Sequence, residues 1–217
     1  MDIKICGLKT KEALDAALEG GASHVGFIFF PKSPRFLDPA AAGALRGMAR
    51  GKAKAVAVTV DADDATLDAI VAGMAPDLLQ FHGRETPERL AELKARYGLP
   101  VIKALPIREA GDLAAIRPFL GVADRFLFDA KPPKGSELPG GNGVSFDWSV
   151  LAGLDPSIDY LLSGGLNADN IGGALSLLRP AGIDISSGVE SAPGVKDARL
   201  IVDFFRRVRM AQHEQAA

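Results

Sequence analysis

Side chains capable of proton transfer stand at the ends of several short apolar runs in this sequence. Cys6 ends the run at residues 3–6, and Asp129 ends the run at residues 126–129. A carboxyl group that keeps its proton in apolar surroundings can act as a general acid, and a thiolate can act as a base or nucleophile. Each residue also has a structural interpretation, since a lone cysteine is often a packed core residue and an aspartate often caps a turn.

The period-two alternation of β-strands predicts that further polar side chains share a face with these residues. The predicted pairs are Lys4 with Cys6, Gln80 with His82, and Asp184 with Ser186. His82 could be a ligand-binding residue or a structural imidazole, whereas His24 precedes its run and is predicted to be structural. Polar groups at the ends of several strands are therefore expected to converge.

Two glycine-rich turns near the end of the chain predict a phosphate site. The first is Ser163-Gly164-Gly165 and the second is Ser186-Ser187-Gly188. Glycine lets backbone N–H groups approach an anion, and serine hydroxyls and a following helix N-terminus add further donors. Both segments could also be ordinary tight turns.

Arg35 is the candidate for binding a second anionic group. It follows Pro31 and Pro34, and prolines stiffen the loop that carries the guanidinium. The planar fork of an arginine can bind a carboxylate through two parallel hydrogen bonds. We therefore expect Arg35 to bind a carboxylate.

Eight short apolar runs with strand character alternate with amphipathic segments along the chain. The runs lie at residues 3–6, 25–29, 55–60, 78–82, 101–105, 126–129, 160–163 and 183–186. A helix is predicted at 87–97, with Thr86 as its N-cap and Gly98 as its stop, and another at 11–19. The pattern predicts one α/β domain over residues 1–217, a (β/α)8 TIM barrel. An open, doubly wound sheet also alternates strand and helix, but eight units argue against it.

A barrel would place these polar residues together, because TIM-barrel active sites lie at the C-terminal ends of the strands and phosphate commonly binds after strands seven and eight. The connection at residues 130–143 is rich in proline and glycine and too long for a turn. It is either a solvent-exposed linker or a lid that closes over the substrate.

Composition limits the classes of partner. The net charge is −2, and no basic run interleaved with aromatic residues indicates a nucleic-acid surface, so a small-molecule ligand is expected. Because we find neither a signal-peptide pattern nor an apolar run of membrane-spanning length, we expect a cytoplasmic protein without membrane contact. The sequence has neither metal-ligand spacing nor a Gly-x-Ser-x-Gly elbow. It is compatible with a monomer or a homodimer.

The motifs in combination resemble the phosphoribosylanthranilate isomerase family over all eight predicted strands. The segments that carry the resemblance are residues 4–7, 26–29, 31–35, 80–83, 128–129, 140–143, 162–166 and 184–190. Departures from the usual pattern occur at Phe30 and at Asn142. Two alternatives remain, a related sugar-phosphate isomerase and a non-catalytic barrel that binds phosphorylated metabolites.

The resemblance implies an Amadori rearrangement of N-(5'-phosphoribosyl)anthranilate in tryptophan biosynthesis, without a cofactor or metal ion. It implies that Asp129 is the general acid and Cys6 the general base. It further implies that Arg35 binds the anthranilate carboxylate and that Asp184 contacts the substrate. The phosphate would lie at Gly164, Gly165, Ser186, Ser187 and Gly188. We expect desolvation to raise the pKa of Asp129, and a cation such as Lys4 or the substrate iminium to favour the Cys6 thiolate.

Overall fold

A closed barrel of parallel strands forms the centre of the molecule. The computed structural model describes residues 1–132, 135–136, 138, 140–141, 143 and 145–216. Within these residues, eight strands are hydrogen-bonded in chain order and the eighth pairs with the first. They are β1 (Asp2–Cys6), β2 (His24–Ile28), β3 (Lys54–Thr59), β4 (Leu78–Phe81), β5 (Val101–Ile107), β6 (Arg125–Ala130), β7 (Tyr160–Leu162) and β8 (Gly182–Ile185). The predicted (β/α)8 barrel is confirmed, and an open doubly wound sheet is excluded because the described sheet closes on itself.

Helices surround the barrel. The α-helices are α1 (Lys11–Gly20), α2 (Pro39–Ala49), α3 (Asp64–Met74), α4 (Pro87–Tyr97), α5 (Ile171–Leu177) and α6 (Ala198–Ala216). The predicted capping residues of α4 are confirmed. The Thr86 side chain accepts a hydrogen bond from the Arg89 N–H, and Gly98 ends the helix with a φ of 63°.

The segments after β5 and β6 are 3₁₀ helices, at Ala110–Phe119 and Trp148–Leu151. The first of these contains Gly111 and Pro118. Glycine is a poor helix former, and proline removes an N–H donor and disfavours the α conformation of the residue before it. These two segments therefore cover the barrel with 3₁₀ turns instead of α-helices, and Ile116, Phe119 and Leu151 contribute to the outer core.

Alternation along the strands separates two apolar layers. The smaller cluster lies inside the barrel and includes Cys6 and Leu127. The larger one packs between the strands and the helices and includes Ile5 and Phe128. The predicted assignment of Cys6 to the inner face and of Ile5 to the outer face is confirmed.

A short antiparallel hairpin follows β8 and precedes α6. Its strands are β9 (Glu190–Ala192) and β10 (Val195–Lys196), and Lys196 is the cross-strand partner of Glu190. The hairpin was not among the predicted elements. In the part of the chain that the structure describes, no helix is both long and apolar enough to cross a membrane.

Candidate active site

A cavity lies at the C-terminal ends of the strands. It is lined by all the predicted site residues except Gly188, namely Cys6, Arg35, His82, Asp129, Gly164, Gly165, Asp184, Ser186 and Ser187. The fold thus brings together residues that are far apart in the sequence. Nothing in the described ranges groups three or more His, Cys, Asp or Glu side chains in an arrangement that could hold a metal ion.

The glycines of the two predicted phosphate turns have different structural roles. Gly164 and Gly165 have φ angles of 86° and 68°, a left-handed conformation that favours glycine. Gly188 instead packs against the preceding loop, because a Cβ atom there would lie 1.9 Å from the carbonyl oxygen of Leu166. Gly188 therefore allows the loops after β7 and β8 to approach each other, and its α-carbon faces a backbone rather than the cavity.

Asp129 lies near the end of β6 and is only 7% exposed. Burial and the negative charge of Asp184 raise the pKa of Asp129 to about 7, although backbone N–H groups of Ala130 and Gly141 oppose the shift. The Asp129 Oδ1 atom accepts the Ala130 N–H at 2.9 Å. The expected upward shift of this pKa is thus found, and the carboxyl group can hold a proton near neutral pH.

His82 faces Asp129 across the cavity. The His82 Nε2 and Asp129 Oδ2 atoms are 3.5 Å apart, and Nε2 is buried without a hydrogen-bond partner among the described residues. Burial lowers the pKa of His82 to about 4, with the positive charges of Lys4 and Lys103 acting in the same direction. The imidazole is therefore neutral at pH 7 and available to a ligand.

Gly140 covers this pair of side chains. A Cβ atom on Gly140 would lie 2.3 Å from Asp129 Oδ2 and 2.9 Å from His82 Nε2, so only glycine fits without displacement. The lid predicted at residues 131–143 also includes residues 133, 134, 137, 139 and 142, which lie outside the described residues. Lid closure stays a prediction.

Cys6 lies beside a buried ion pair. The Lys4 Nζ atom donates a hydrogen bond to Asp184 Oδ1 at 2.7 Å, and Lys4 is fully buried. Burial raises the pKa of the Cys6 thiol, and although Lys4 opposes this shift the net direction is upward. Lys4 thus favours the thiolate, as expected, but burial and the negative charge of Asp184 outweigh it in the ligand-free protein. Asp184 compensates the charge of Lys4, and Cys6 remains a thiol.

Arg35 is held on several sides. Its stem packs on Gly7, where a Cβ atom would lie 2.7 Å from Arg35 Cδ. Its Nε and Nη2 atoms donate to the two carboxylate oxygens of Glu190 at 2.7 and 2.9 Å, and Nη2 also donates to the Gly141 carbonyl at 3.1 Å. One bidentate edge of the guanidinium is therefore occupied by Glu190, and a substrate carboxylate would have to use the edge that contains Nη1.

Comparison with known proteins identifies the family of this barrel. A family model described as N-(5'phosphoribosyl)anthranilate (PRA) isomerase matches residues 3–207. The chain belongs to the N-(5'-phosphoribosyl)anthranilate isomerase family. An N-(5'-phosphoribosyl)anthranilate isomerase from Mesorhizobium japonicum is 74% identical over 217 residues, which cover 100% of this chain and 99% of that protein. The predicted family is confirmed, and the chain is an isomerase.

Solved structures of N-(5'-phosphoribosyl)anthranilate isomerases share the barrel. The enzyme from Thermotoga maritima is 30% identical, with a TM-score of 0.86 over 97% of this chain and 99% of that one. A second structure is a complex with reduced 1-(o-carboxyphenylamino)-1-deoxyribulose 5-phosphate, at 28% identity and a TM-score of 0.84 over the same shares of the two chains. A third is described as mutually generated monomers of the dimeric T. maritima enzyme, also at 28% identity, with a TM-score of 0.83 and the same coverage.

Sequence reasoning assigned no role to three polar contributors to the site of this isomerase-family chain. Gln80 lines the cavity, and its Oε1 atom is buried without a partner among the described residues. Glu190 was part of a recognised segment but had no assigned role, and Lys196 was not considered. The alternation that paired Gln80 with His82 could have identified Gln80, but the ion pairs of Glu190 and Lys196 depend on the hairpin and on contacts distant in sequence.

Proposed function

We propose that this chain catalyses the Amadori rearrangement of N-(5'-phosphoribosyl)anthranilate to 1-(2-carboxyphenylamino)-1-deoxyribulose 5-phosphate in tryptophan biosynthesis. The observation that carries the proposal is a single cavity that combines the buried carboxyl group of Asp129, the thiol of Cys6, and the turns at Gly164 and Ser186. Family membership supports the same reaction. We further propose that residues 1–217 form one catalytic domain.

Asp129 acts as the general acid in the first step. Its proton goes to the furanose ring oxygen, the bond between that oxygen and C1' breaks, and the anthranilate nitrogen supplies the electron pair that forms the C1' iminium. The pKa of about 7 supports this role, because the acid form is then well populated at neutral pH. Neutral His82, 3.5 Å from the carboxyl oxygen, contacts the substrate hydroxyl groups nearby.

Cys6 acts as the general base in the second step. The Cys6 thiol proton first passes, within the complex, to the Asp129 carboxylate that the first step has left. The thiolate then removes the proton from C2', the C2'–H electron pair forms the C1'–C2' double bond, and the iminium nitrogen becomes a neutral enamine nitrogen. The resulting enolamine tautomerises to the ketone. Since burial raises the pKa of Cys6 in the free protein, the positive charge of the substrate iminium is what favours the thiolate at this step.

The remaining predicted residues bind the substrate. Gly164, Gly165, Ser186 and Ser187 line the cavity and hold the phosphate through N–H and hydroxyl groups, while Gly188 lets the two phosphate loops pack together. Arg35 binds the anthranilate carboxylate, and Asp184 contacts the substrate nitrogen or hydroxyl groups. The reaction uses the substrate nitrogen as its electron sink and needs no cofactor or metal. We propose that the protein works in the cytoplasm, as a monomer or homodimer, on this phosphorylated small molecule.

The activity can be tested with purified protein. Anthranilate and phosphoribosyl pyrophosphate are first converted to N-(5'-phosphoribosyl)anthranilate by the phosphoribosyltransferase, and the loss of substrate fluorescence is then followed. We expect a rapid loss that depends on the protein, with the carboxyphenylamino-deoxyribulose phosphate as the product. Fluorescence loss no faster than spontaneous hydrolysis, with only anthranilate released, would contradict the proposal.

A further inference from the structure

The β9–β10 hairpin carries a buried lysine to the back of the Arg35 site. Lys196 forms an ion pair with Glu190, and it also donates to the carbonyl and hydroxyl oxygens of Ser186 at 3.1 and 3.3 Å. The side chains of Lys196 and Glu190 are 2% and 4% exposed. Glu190 and Lys196 stand behind Arg35 and Ser186, which line the cavity.

Glu190 and the hairpin turn fix the direction of the guanidinium. The Glu190 carboxylate binds the Nε and Nη2 edge of Arg35. The same carboxylate accepts the Gly194 N–H at 3.1 Å, and Gly194 lies so close to the Arg35 loop that a Cβ atom would be 2.4 Å from the Pro34 carbonyl oxygen. The hairpin therefore holds both the backbone and the side chain of Arg35.

Electrostatics gives Lys196 a separate role. Burial raises the pKa of the Glu190 carboxyl, but the hydrogen bonds and charges of Arg35 and Lys196 outweigh that effect, and the net shift is downward. Glu190 is thus ionised and would by itself neutralise Arg35. Burial lowers the pKa of Lys196, and the ion pair with Glu190 opposes that shift and favours the charged ammonium. The Lys196 ammonium restores one positive charge to the cluster of three side chains, and charges in such a buried site are weakly screened by solvent.

We propose that Lys196 is a positioning residue for recognition of the substrate carboxylate: by compensating Glu190, it leaves Arg35 both oriented by that carboxylate and positively charged toward the cavity. This inference rests on the proposed function, because it takes Arg35 to be the carboxylate-binding residue. Glu190 orients the Arg35 guanidinium, but the charges of Arg35 and Glu190 cancel. Lys196 supplies the net positive charge that this pair lacks.

The test compares two ligands and three proteins. The ligands are reduced 1-(o-carboxyphenylamino)-1-deoxyribulose 5-phosphate and the same compound without its carboxyl group, and their dissociation constants are measured by calorimetry. Lys196→Met removes the charge but keeps the length of the side chain. The Glu190→Gln, Lys196→Met double variant removes both charges and returns the cluster to the net charge of the wild type.

We expect Lys196→Met to bind the carboxylate ligand about tenfold more weakly, while binding of the ligand without the carboxyl group changes by less than about twofold. The second ligand also reports whether the variant is folded. The double variant should recover most of the lost affinity, because the charge of Arg35 is again uncompensated.

Equal weakening of both ligands by Lys196→Met, or unchanged binding of both, overturns the inference while leaving the proposed function intact. Because the amide oxygen introduced by Glu190→Gln still accepts a hydrogen bond from the guanidinium, Arg35 stays oriented in the double variant, and failure of that variant to recover carboxylate binding also overturns the inference. Wild-type protein that binds neither ligand overturns the proposed function itself, and the inference with it.

Discussion

Arg35 and Asp129 line the same cavity but are held in opposite electrostatic states. Arg35 is buried with Glu190 and Lys196, and the Glu190 carboxylate forms ion pairs with both cations, which favour the charged forms. Asp129 faces His82, and burial moves the two pKa values to about 7 and about 4, so that His82 is neutral and Asp129 is partly protonated near neutral pH. The charged side is suited to binding an anion, and the neutral side is suited to moving a proton.

The contrast follows from the cost of burying charge. An isolated ion in an apolar site is strongly disfavoured, and a group without a partner changes its protonation state instead. The 3.5 Å separation of His82 and Asp129 gives neither group a close ionic partner, whereas Arg35 has a bidentate one. Partner geometry, rather than burial alone, therefore determines which groups stay charged.

The largest predicted effect is on the proton-transfer side. Asp129→Asn and Cys6→Ser should each lower kcat by at least about a hundredfold, because each removes a positioned acid or base, with a much smaller change in KM. Steady-state kinetics on N-(5'-phosphoribosyl)anthranilate measures both constants. Near wild-type turnover by either variant would remove that residue from its proposed role.

A smaller loss of kcat is expected when a side chain is added next to Asp129. Gly140→Ala puts a methyl group against the Asp129 carboxyl and the His82 ring, and displacement of the acid should lower kcat about thirtyfold. Gly153→Ala is the matched control, because a Cβ atom there has no neighbour within 4 Å. If both variants turned over at the same rate, close packing on Asp129 would be irrelevant to catalysis.

On the charged side, we predict an effect on binding rather than on turnover. Arg35→Ala should raise KM about tenfold with little change in kcat, provided that the guanidinium binds the carboxylate equally in the ground and transition states. The two constants are measured separately under saturating and limiting substrate. An unchanged KM would contradict the assignment of Arg35 as the residue that binds the anthranilate carboxylate. The contrast between an anion-binding side and a proton-transfer side of the cavity would then be lost.

The smallest effect is on the pH profile. Because the pKa of Asp129 is raised to about 7, its proton is present below that pH and is lost above it. Since Cys6 ionises only in the complex, kcat/KM should fall about fivefold between pH 7 and pH 8. A value of kcat/KM that rises over this interval would indicate that ionisation of Cys6 in the free protein, not loss of the Asp129 proton, controls the rate.

The strands and their inward-facing residues could be predicted because they follow local rules. Alternation along the first strand assigned Cys6 to the inner face, Asp129 was recognised as the polar residue that ends an apolar run, and barrel geometry predicted that both reach one cavity. The capping residues of α4, Thr86 and Gly98, could also be predicted, because they depend only on residues nearby in the sequence. The 3₁₀ segment at Ala110–Phe119 departs from a regular helix where Gly111 and Pro118 weaken α-helix formation.

The ion pairs could not be predicted in the same way. Arg35 and Glu190 are 155 residues apart, and Glu190 reaches the guanidinium only through the hairpin that follows β8. The net pKa shift of Cys6 could not be predicted either, because the sequence placed Lys4 beside it without revealing that burial of the thiol and the negative charge of Asp184 outweigh the lysine. Pairing between distant segments determines the electrostatics of the site, and no periodic pattern encodes it.

We infer that Asp129 holds a proton near neutral pH while the Arg35 side of the cavity remains charged. The most direct test is a carbon-13 NMR titration of the aspartate carboxyl groups in the ligand-free protein, with Asp129→Asn used to assign the resonance. We expect the Asp129 carboxyl to titrate with a pKa of about 7. Titration at or below the usual aspartate value of about 4 would contradict it, because Asp129 would then be ionised when the reaction begins.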